Sequence, residues 1–332
     1  MSARTASARV ALSPRTAERL RGSGVRVAIT GASGWMGQAS LQALEDAFGE
    51  EFVTRVACFG SRAREIRLSS GRNVGVAMLE QLGALPRAPT ALLHYAFLTK
   101  DRVAGVDTAQ YFRLSEEITA AVLAAIPRIG VTHMLFPSSG AVYGQPIRPD
   151  LSLREEPETN PYGTQKLRDE RHFAQACHEN GVRLAVPRVF SLSGAFINKH
   201  EAYALASIIN AALLGKPVEL RARRSVFRSY VSVGDLIEAS LAWLFSRTAP
   251  EQVVFDTGGE VVEVGELAQR ALHLLGRAEL AVSRPAPDGS AEDRFTGDGA
   301  AFARLAQSQG VALRSLDQQI LDTAEYLAAL DR

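Results

Sequence analysis

The chain has 332 residues and 46% of them are apolar, enough for a sizeable core, so a globally disordered polypeptide is excluded. Its formal charge is +1, from 37 basic and 36 acidic side chains, which argues against nucleic acid or a membrane surface as the main partner. The two cysteines, Cys58 and Cys177, stand far apart and the six histidines form no ligand pair at helical spacing, so neither a disulfide framework nor a metal site is expected.

The first 24 residues hold five arginines before residue 22 and one acid, Glu18. Transit peptides have this arginine-rich, acid-poor character. Here the segment is read as a basic surface arm, with Ser13-Pro14 opening a short helix. It has no apolar signal core, and apolar runs such as Ala91–Leu98 are too short to span a bilayer, so a cytoplasmic location is expected.

Alternation of Val25, Val27 and Ile29 predicts a strand, followed by a glycine-rich turn and a helix from Met36 to Phe48, where apolar residues recur at helical spacing. Phe52–Phe59 and Ala91–Phe97 read as further strands. A helix is expected over Thr108–Ala125, a strand over Thr132–Phe136, a helix over Pro161–Glu179 and a strand over Arg183–Phe190. Such strand–helix alternation predicts an α/β fold, a parallel sheet with helices on both faces. The order after residue 190 is less regular. Helices are expected at Ala202–Leu214, Asp235–Phe245, Val264–Leu275 and Leu316–Leu330, with short strands near Val218–Leu220 and Tyr230–Val233.

Residues 30–37 read Thr-Gly-Ala-Ser-Gly-Trp-Met-Gly, spacing Gly31, Gly34 and Gly37 three apart between strand and helix. Glycines let the backbone turn tightly and approach a pyrophosphate, while the helix N-terminus offers free N–H groups. Gly31, Ser33, Gly34, Trp35, Met36 and Gly37 are therefore candidate dinucleotide contacts. The second strand ends in Cys58-Phe59-Gly60-Ser61-Arg62 and lacks the acid that would accept bonds from a ribose 2′-hydroxyl. Ser61 and Arg62, with Arg64 and Arg67 nearby, suit a 2′-phosphate instead. NADP(H) is accordingly favoured over NAD(H).

Asn160-Pro161 suits the start of a helix, which sets Tyr162 and Lys166 four apart on one face. A phenol is too weak an acid for base work at neutral pH, and an adjacent ammonium shifts it toward phenolate. Tyr162 could then exchange a proton with a hydroxyl while hydride moves at the same carbon. Ser139 follows an apolar strand, at the sheet end where open α/β folds bind ligands, and can hydrogen-bond the reacting oxygen.

With these motifs the chain resembles the extended short-chain dehydrogenase/reductase family, the NAD-dependent epimerase/dehydratase group that modifies nucleotide sugars, over about residues 25–330. Gly31–Gly37 looks like its glycine turn and His94-Tyr95-Ala96-Phe97 like its H-x-A-A segment. Ser139 to Gly144 is similar to its S-x-x-V-Y-G run, Tyr162–Lys166 to its YxxxK, Pro187–Ser191 to its L-R-x-x-N, and Arg228–Asp235 to its R-D-F-x-x-V-x-D. The resemblance implies a Rossmann, doubly wound parallel sheet over residues 25–190. It implies a smaller C-terminal substrate lobe over 191–332, with segments around 229–260 returning to the first domain. It further implies that Tyr95, Ala96 and Val189 lie beside the cofactor, that Lys166 also holds the nicotinamide ribose, and that Ser191 and Arg228 meet the substrate, Arg228 at its diphosphate. A homodimer paired through two helices is expected on the same ground.

Departures narrow the reaction. The Asp-Glu pair of the family's sugar dehydratases is replaced by Gly140 and Ala141, which disfavours dehydration. Gly140 also stands where epimerase-reductases of the fucose type carry a cysteine. Ser191 replaces the family's asparagine, and no tryptophan precedes Ser315-Leu316. The expected activity is an NAD(P)-dependent oxidoreductase that reduces a keto group of a nucleotide sugar, with Tyr162 as proton donor. The alternatives are a nucleotide-sugar 4-epimerase with tightly bound NAD and, further off, a non-catalytic NADP-binding sensor or scaffold.

Overall fold

Val27, Ala28 and Ile29 are fully buried because their strand, β1 (Arg26–Thr30), lies in mid-sheet with neighbours on both edges. The computed structural model describes residues 10–99, 105, 107–144, 146–147, 151–286 and 288–330. It divides into two compact units. The larger comprises Ala11–Arg188 and Ile237–Phe255; among the described residues, the smaller takes Val10, Val189–Leu236 and the chain from Asp256 onward.

In the larger unit, β1 pairs in parallel with β2 (Val56–Gly60) on one side and β5 (Thr90–His94) on the other. Outward from β2 lie β4 (Asn73–Met78), parallel to it, and the edge strand β3 (Arg64–Arg67), antiparallel to β4. Outward from β5 come β6 (Val131–Leu135) and β8 (Arg183–Val189), both parallel, and then β12 (Gln252–Asp256). The chain thus builds one half of the sheet from β1 and then crosses to build the other from β5. This is the Rossmann, doubly wound order, and its switch point lies beyond the carboxyl ends of β1 and β5.

Burial on both sheet faces explains why these strands read as nearly continuous apolar runs. One core cluster joins Leu92, Met134, Phe136, Leu184 and Val186 of the strands and their ends to Val122, Ile126 and Ile129 of one helix and Phe173 and Cys177 of another. Numbered along the chain, the helices of this unit are α1 (Pro14–Gly22), α2 (Trp35–Phe48), the short α3 (Phe52–Arg55), α4 (Thr108–Ile129) and α5 (Pro161–Glu179). Ser13 caps α1 and Pro14 opens it; Ser13 and Thr16 each donate a hydroxyl bond of 2.7 Å to Glu238 of α7 (Val233–Leu244), which ties this first helix down.

In the larger unit, several elements differ from the sequence-based expectation. Phe52–Arg55 is a helical turn rather than the start of the second strand: Phe52 is buried, Val53 is 67% exposed, and the strand begins only at Val56. Helix α4 continues through Pro127 to Ile129 and stops at Gly130, whose φ of 78° is left-handed. Proline forfeits one backbone bond there, but Ile126 and Ile129 remain packed in the core. The β3–β4 hairpin was not anticipated, since its faces mix arginine, glycine and valine.

In the smaller unit, β11 (Val226–Ser232) pairs with β9 (Ser191–Ser193), β13 (Val261–Glu263) and β15 (Asp293–Phe295), while β10 (Val218–Glu219) pairs with β14 (Val282–Ser283). Its further helices are α6 (Ala204–Leu213), α8 (Val264–Leu274), α9 (Ala300–Gln309) and α10 (Leu316–Leu330). Arg314 closes on buried Asp235 through its backbone N–H at 2.7 Å and through its guanidinium. Among the described residues, no helix is long and apolar enough to cross a membrane, and no group of three or more His, Cys, Asp or Glu side chains is placed to hold a metal.

Candidate active site

The glycine turn lies at the switch point of the sheet. Gly31 follows β1 with φ +70°, and a Cβ there would come within 2.7 Å of the Tyr95 carbonyl carbon, so only glycine lets the turn run against the main chain of residues 95–96. A Cβ on Gly37 would meet the Ala32 carbonyl oxygen at 2.6 Å, which fixes how closely α2 leaves the strand. The N-cap of α2 is Gly34, with no side-chain capping bond, so no side chain of its own covers the first N–H groups of the helix. A bare, positively polarised helix end beside a tight turn fits the pyrophosphate of a dinucleotide.

Around the turn, Trp35 and Met36 are buried, Ser33 is half-buried and Ala96 partly so. Tyr95 turns into the protein, where its hydroxyl pairs with Ser40 of α2 at 2.9 Å and burial raises its pKa well above that of a free phenol. What residues 95 and 96 present to the turn is therefore backbone. Ser61 and Arg62 are exposed just after β2, and Arg64 and Arg67 are exposed on the edge strand β3.

The residues read as catalytic are assembled by a small set of bonds. Ser139 ends β7 (Ser138–Ser139), is buried, and caps the following 3-10 turn, Gly140–Tyr143, by accepting a bond from Ala141 N–H at 3.2 Å. Asn160 caps α5 by accepting from Gly163 N–H at 3.1 Å, and its side-chain amide donates to the Ala141 carbonyl at 2.7 Å. One asparagine thus joins the start of the helix that carries Tyr162 to the turn after Ser139. Gly163 allows the approach, since a Cβ there would press on the Ala141 carbonyl, with that carbon only 2.8 Å away.

Lys166 is 2% exposed. Its ammonium donates to the Pro137 carbonyl at 2.9 Å, two residues before Ser139, and stands 3.7 Å from the ring centre of Phe97 and 4.6 Å from that of Phe136. Burial lowers its pKa to about 8, against the opposing pull of Asp169 and Glu170. Tyr162 is half-buried, one turn before Lys166 on α5, and its ring lies 6.2 Å from that of Phe97. His94 closes the other side. It pairs with the Thr30 hydroxyl at 2.7 Å, and burial, reinforced by the Lys166 charge, holds its pKa down to about 3, so the ring is neutral at physiological pH.

The arrangement holds a buried cation one turn beyond a phenol on the same helix, in a setting that magnifies electrostatic effects. Sequence reasoning missed part of the support. Glu170 and Arg188 form a two-armed ion pair, with Arg188 Nη2 2.7 Å from Glu170 Oε2, and Arg188 also donates to the Tyr143 hydroxyl at 2.8 Å. Asp169 is buried and accepts from Thr119 and Gln165. The spacing of these acids after Lys166 was visible, but their partners lie on other elements or far along the chain.

Val189, Ser191 and Arg228 belong to the smaller unit. Val189 ends β8, and Ser191 opens β9 opposite Tyr230. Arg228 pairs with Asp293 at 3.1 Å and donates to the Phe227 carbonyl at 2.8 Å, so its guanidinium has partners within its own unit.

A family model described as the NAD dependent epimerase/dehydratase family matches residues 27–258. The chain is 29% identical over 255 residues to UDP-glucose 4-epimerase of Azospirillum brasilense, covering 70% of this chain and 72% of that protein. The fold is shared with UDP-glucose 4-epimerase of Thermus thermophilus in complex with NAD, at 24% identity and TM-score 0.68, over 92% of this chain and 99% of that one. It is shared also with UDP-N-acetylglucosamine 4-epimerase of Methanobrevibacter ruminantium, at 17% identity and TM-score 0.70, over 92% and 99% of the two chains. With the glycine turn at the switch point of a Rossmann sheet and the matched segment spanning both turn and YxxxK helix, the chain belongs to the NAD dependent epimerase/dehydratase family.

Proposed function

We propose that this protein is a nucleotide-sugar 4-epimerase that works with tightly held NAD, the reading placed second from sequence alone. The observation that carries it is the likeness to UDP-glucose 4-epimerase over 70% of the chain, taken with Gly140 and Ala141 beside Ser139. Neither residue has a side chain able to give or take a proton, so these two positions offer nothing for eliminating water. A 4-epimerase needs no such group, because the hydride removed from C4 returns to the same carbon on its other face.

In this reading Tyr162 accepts the C4 hydroxyl proton and later returns it, while Ser139 donates a hydrogen bond to the same oxygen. Lys166 stays protonated and favours the phenolate of Tyr162, and its position also suits the ribose of the cofactor. Gly31, Ser33, Gly34, Trp35, Met36 and Gly37 hold the pyrophosphate side, with the main chain of Tyr95 and Ala96 packed against the turn. Bound NAD supplies the hydride acceptor and donor. Val189, Ser191 and Arg228 are assigned to the nicotinamide and substrate side, Arg228 after exchanging Asp293 for the diphosphate. We further take the enzyme to be a cytoplasmic homodimer; light scattering on the eluting protein is expected to give twice the chain mass, and a monomer at micromolar concentration rejects the dimer.

A specific observation keeps a second reading. No acid follows β2, and the exposed Ser61 and Arg62 there suit a 2′-phosphate, as an NADPH-dependent keto-sugar reductase would require. Native mass spectrometry of the purified protein, with identification of any released nucleotide, separates the two. Co-purifying NAD with interconversion of a UDP-hexose and its 4-epimer supports the epimerase. An empty protein that takes up NADPH and consumes it with a keto-sugar nucleotide overturns it.

A further inference from the structure

Against the Tyr162–Lys166 face of α5 lies a narrow cleft, lined by Phe97, Tyr111, Thr119, Gln165 and Asp169 together with those two residues. Asp169 is 5% exposed and stands one turn beyond Lys166. Its Oδ1 accepts two bonds of 2.8 Å, from the Thr119 hydroxyl of α4 and from the Gln165 side-chain amide. The Gln165 carbonyl oxygen is buried with no hydrogen-bond partner. The fold therefore tolerates an orphaned acceptor while committing the amide to a carboxylate, a combination that stabilises negative charge at this spot.

We propose that Asp169, clamped by Thr119 and Gln165, is a positioning residue whose negative charge keeps the buried Lys166 ammonium protonated beside Tyr162. The proposal rests on the assignment of Tyr162 and Lys166 to proton transfer. Of the other groups around Lys166, Glu170 pulls in the same direction but is already engaged. Glu170 on the same helix is taken up by Arg188 of β8, His94 of β5 is held neutral by burial, and Phe97 and Phe136 offer ring faces only. His172, one turn beyond Asp169 on α5, favours the Asp169 carboxylate, and Tyr111 of α4 is held as a neutral phenol by burial. Burial pushes the Asp169 carboxyl upward and the Lys166 ammonium downward; their mutual attraction opposes both shifts. Neutralising Asp169 leaves the lysine with burial opposed by Glu170, which Arg188 already pairs.

The chain has four lysines, Lys100, Lys166, Lys199 and Lys216, so the full-length protein labelled with 13C at lysine Cε gives four resonances, with Lys166 assigned by loss of its signal in Lys166→Arg. The Lys166 titration is then followed without substrate in the native chain and in Asp169→Asn, which keeps the shape and leaves a group that Thr119 can still bond. The expected result is a midpoint lower by about one pH unit or more in Asp169→Asn, with the alkaline limb of turnover moving the same way. An unmoved midpoint in a folded Asp169→Asn overturns the proposal. If that variant does not fold, Thr119→Val decides: a smaller fall supports the coupling, and no change rejects it. A chain that epimerises no nucleotide sugar sinks the functional assignment while the titration still reports on the pair.

Discussion

Lys166 carries a charge in a place that disfavours charge, and its effect on the neighbouring phenol follows from that. An ammonium held by one carbonyl and two ring faces is poorly solvated, so its proton is loosely held, with a pKa of about 8. Turnover is accordingly expected to fall as pH rises through about 8; a rate that stays flat to about pH 9.5 contradicts this role. Folding stability moves in the opposite direction. The unfolded chain keeps this proton up to about 10.4, so from about 8 to 10.4 it binds more protons than the native state, and this group adds stability as pH rises. On the proposed assignment of Tyr162 as proton carrier, Tyr162→Phe is expected to lower turnover by a factor on the order of 10²–10⁴ with cofactor still bound, measured by epimerisation rate and by the nucleotide retained. An unchanged rate removes Tyr162 from the chemistry. Tyr162, Lys166 and Ser139 could be picked out in the sequence because the motif is short and local. Asp169 could not, since nothing at that position in the chain reveals that Thr119, fifty residues earlier, lies against it.

At the scale of elements, the first turn of α5 decides whether the site forms. Asn160 caps this helix and reaches the Ala141 carbonyl, and Gly163 leaves the room for that approach. Gly163→Ala places a methyl against the Ala141 backbone and is expected to destabilise the protein by about 1–3 kcal/mol, read by urea denaturation, with turnover reduced in the folded fraction as Tyr162 is displaced from Ser139. Full stability and full turnover in this variant reject the account of the helix start. The same helix was predicted from Pro161 to Glu179 and is found with those limits, because cap, proline and apolar spacing agree locally. Phe52–Arg55 misled for the converse reason: two adjacent apolar residues suit a strand or a helical turn equally, and tertiary packing of Phe52 alone settles which forms. Residues 64–78 carried little strand signal because β3 is a polar edge strand and β4 carries Gly75, a poor strand former, in its middle.

At the scale of the whole molecule, the order of the strands fixes where a dinucleotide can lie, and this much was legible from strand–helix alternation alone. The smaller unit was less so: its strands are two to seven residues long and pair across long stretches of sequence, so no local period announces them. The preference between reductase and epimerase was likewise beyond local reading, because both use the same three side chains and differ in whether the cofactor leaves between half-reactions. That difference is accessible by isotope. A UDP-hexose carrying deuterium at C4 is incubated with the purified protein, without added cofactor, and the products are examined by NMR and mass spectrometry. The account predicts the 4-epimer with deuterium retained at C4, because the same hydride is removed and returned. Absence of the 4-epimer across UDP-hexoses, or a 4-epimer that has lost the label from C4, contradicts it.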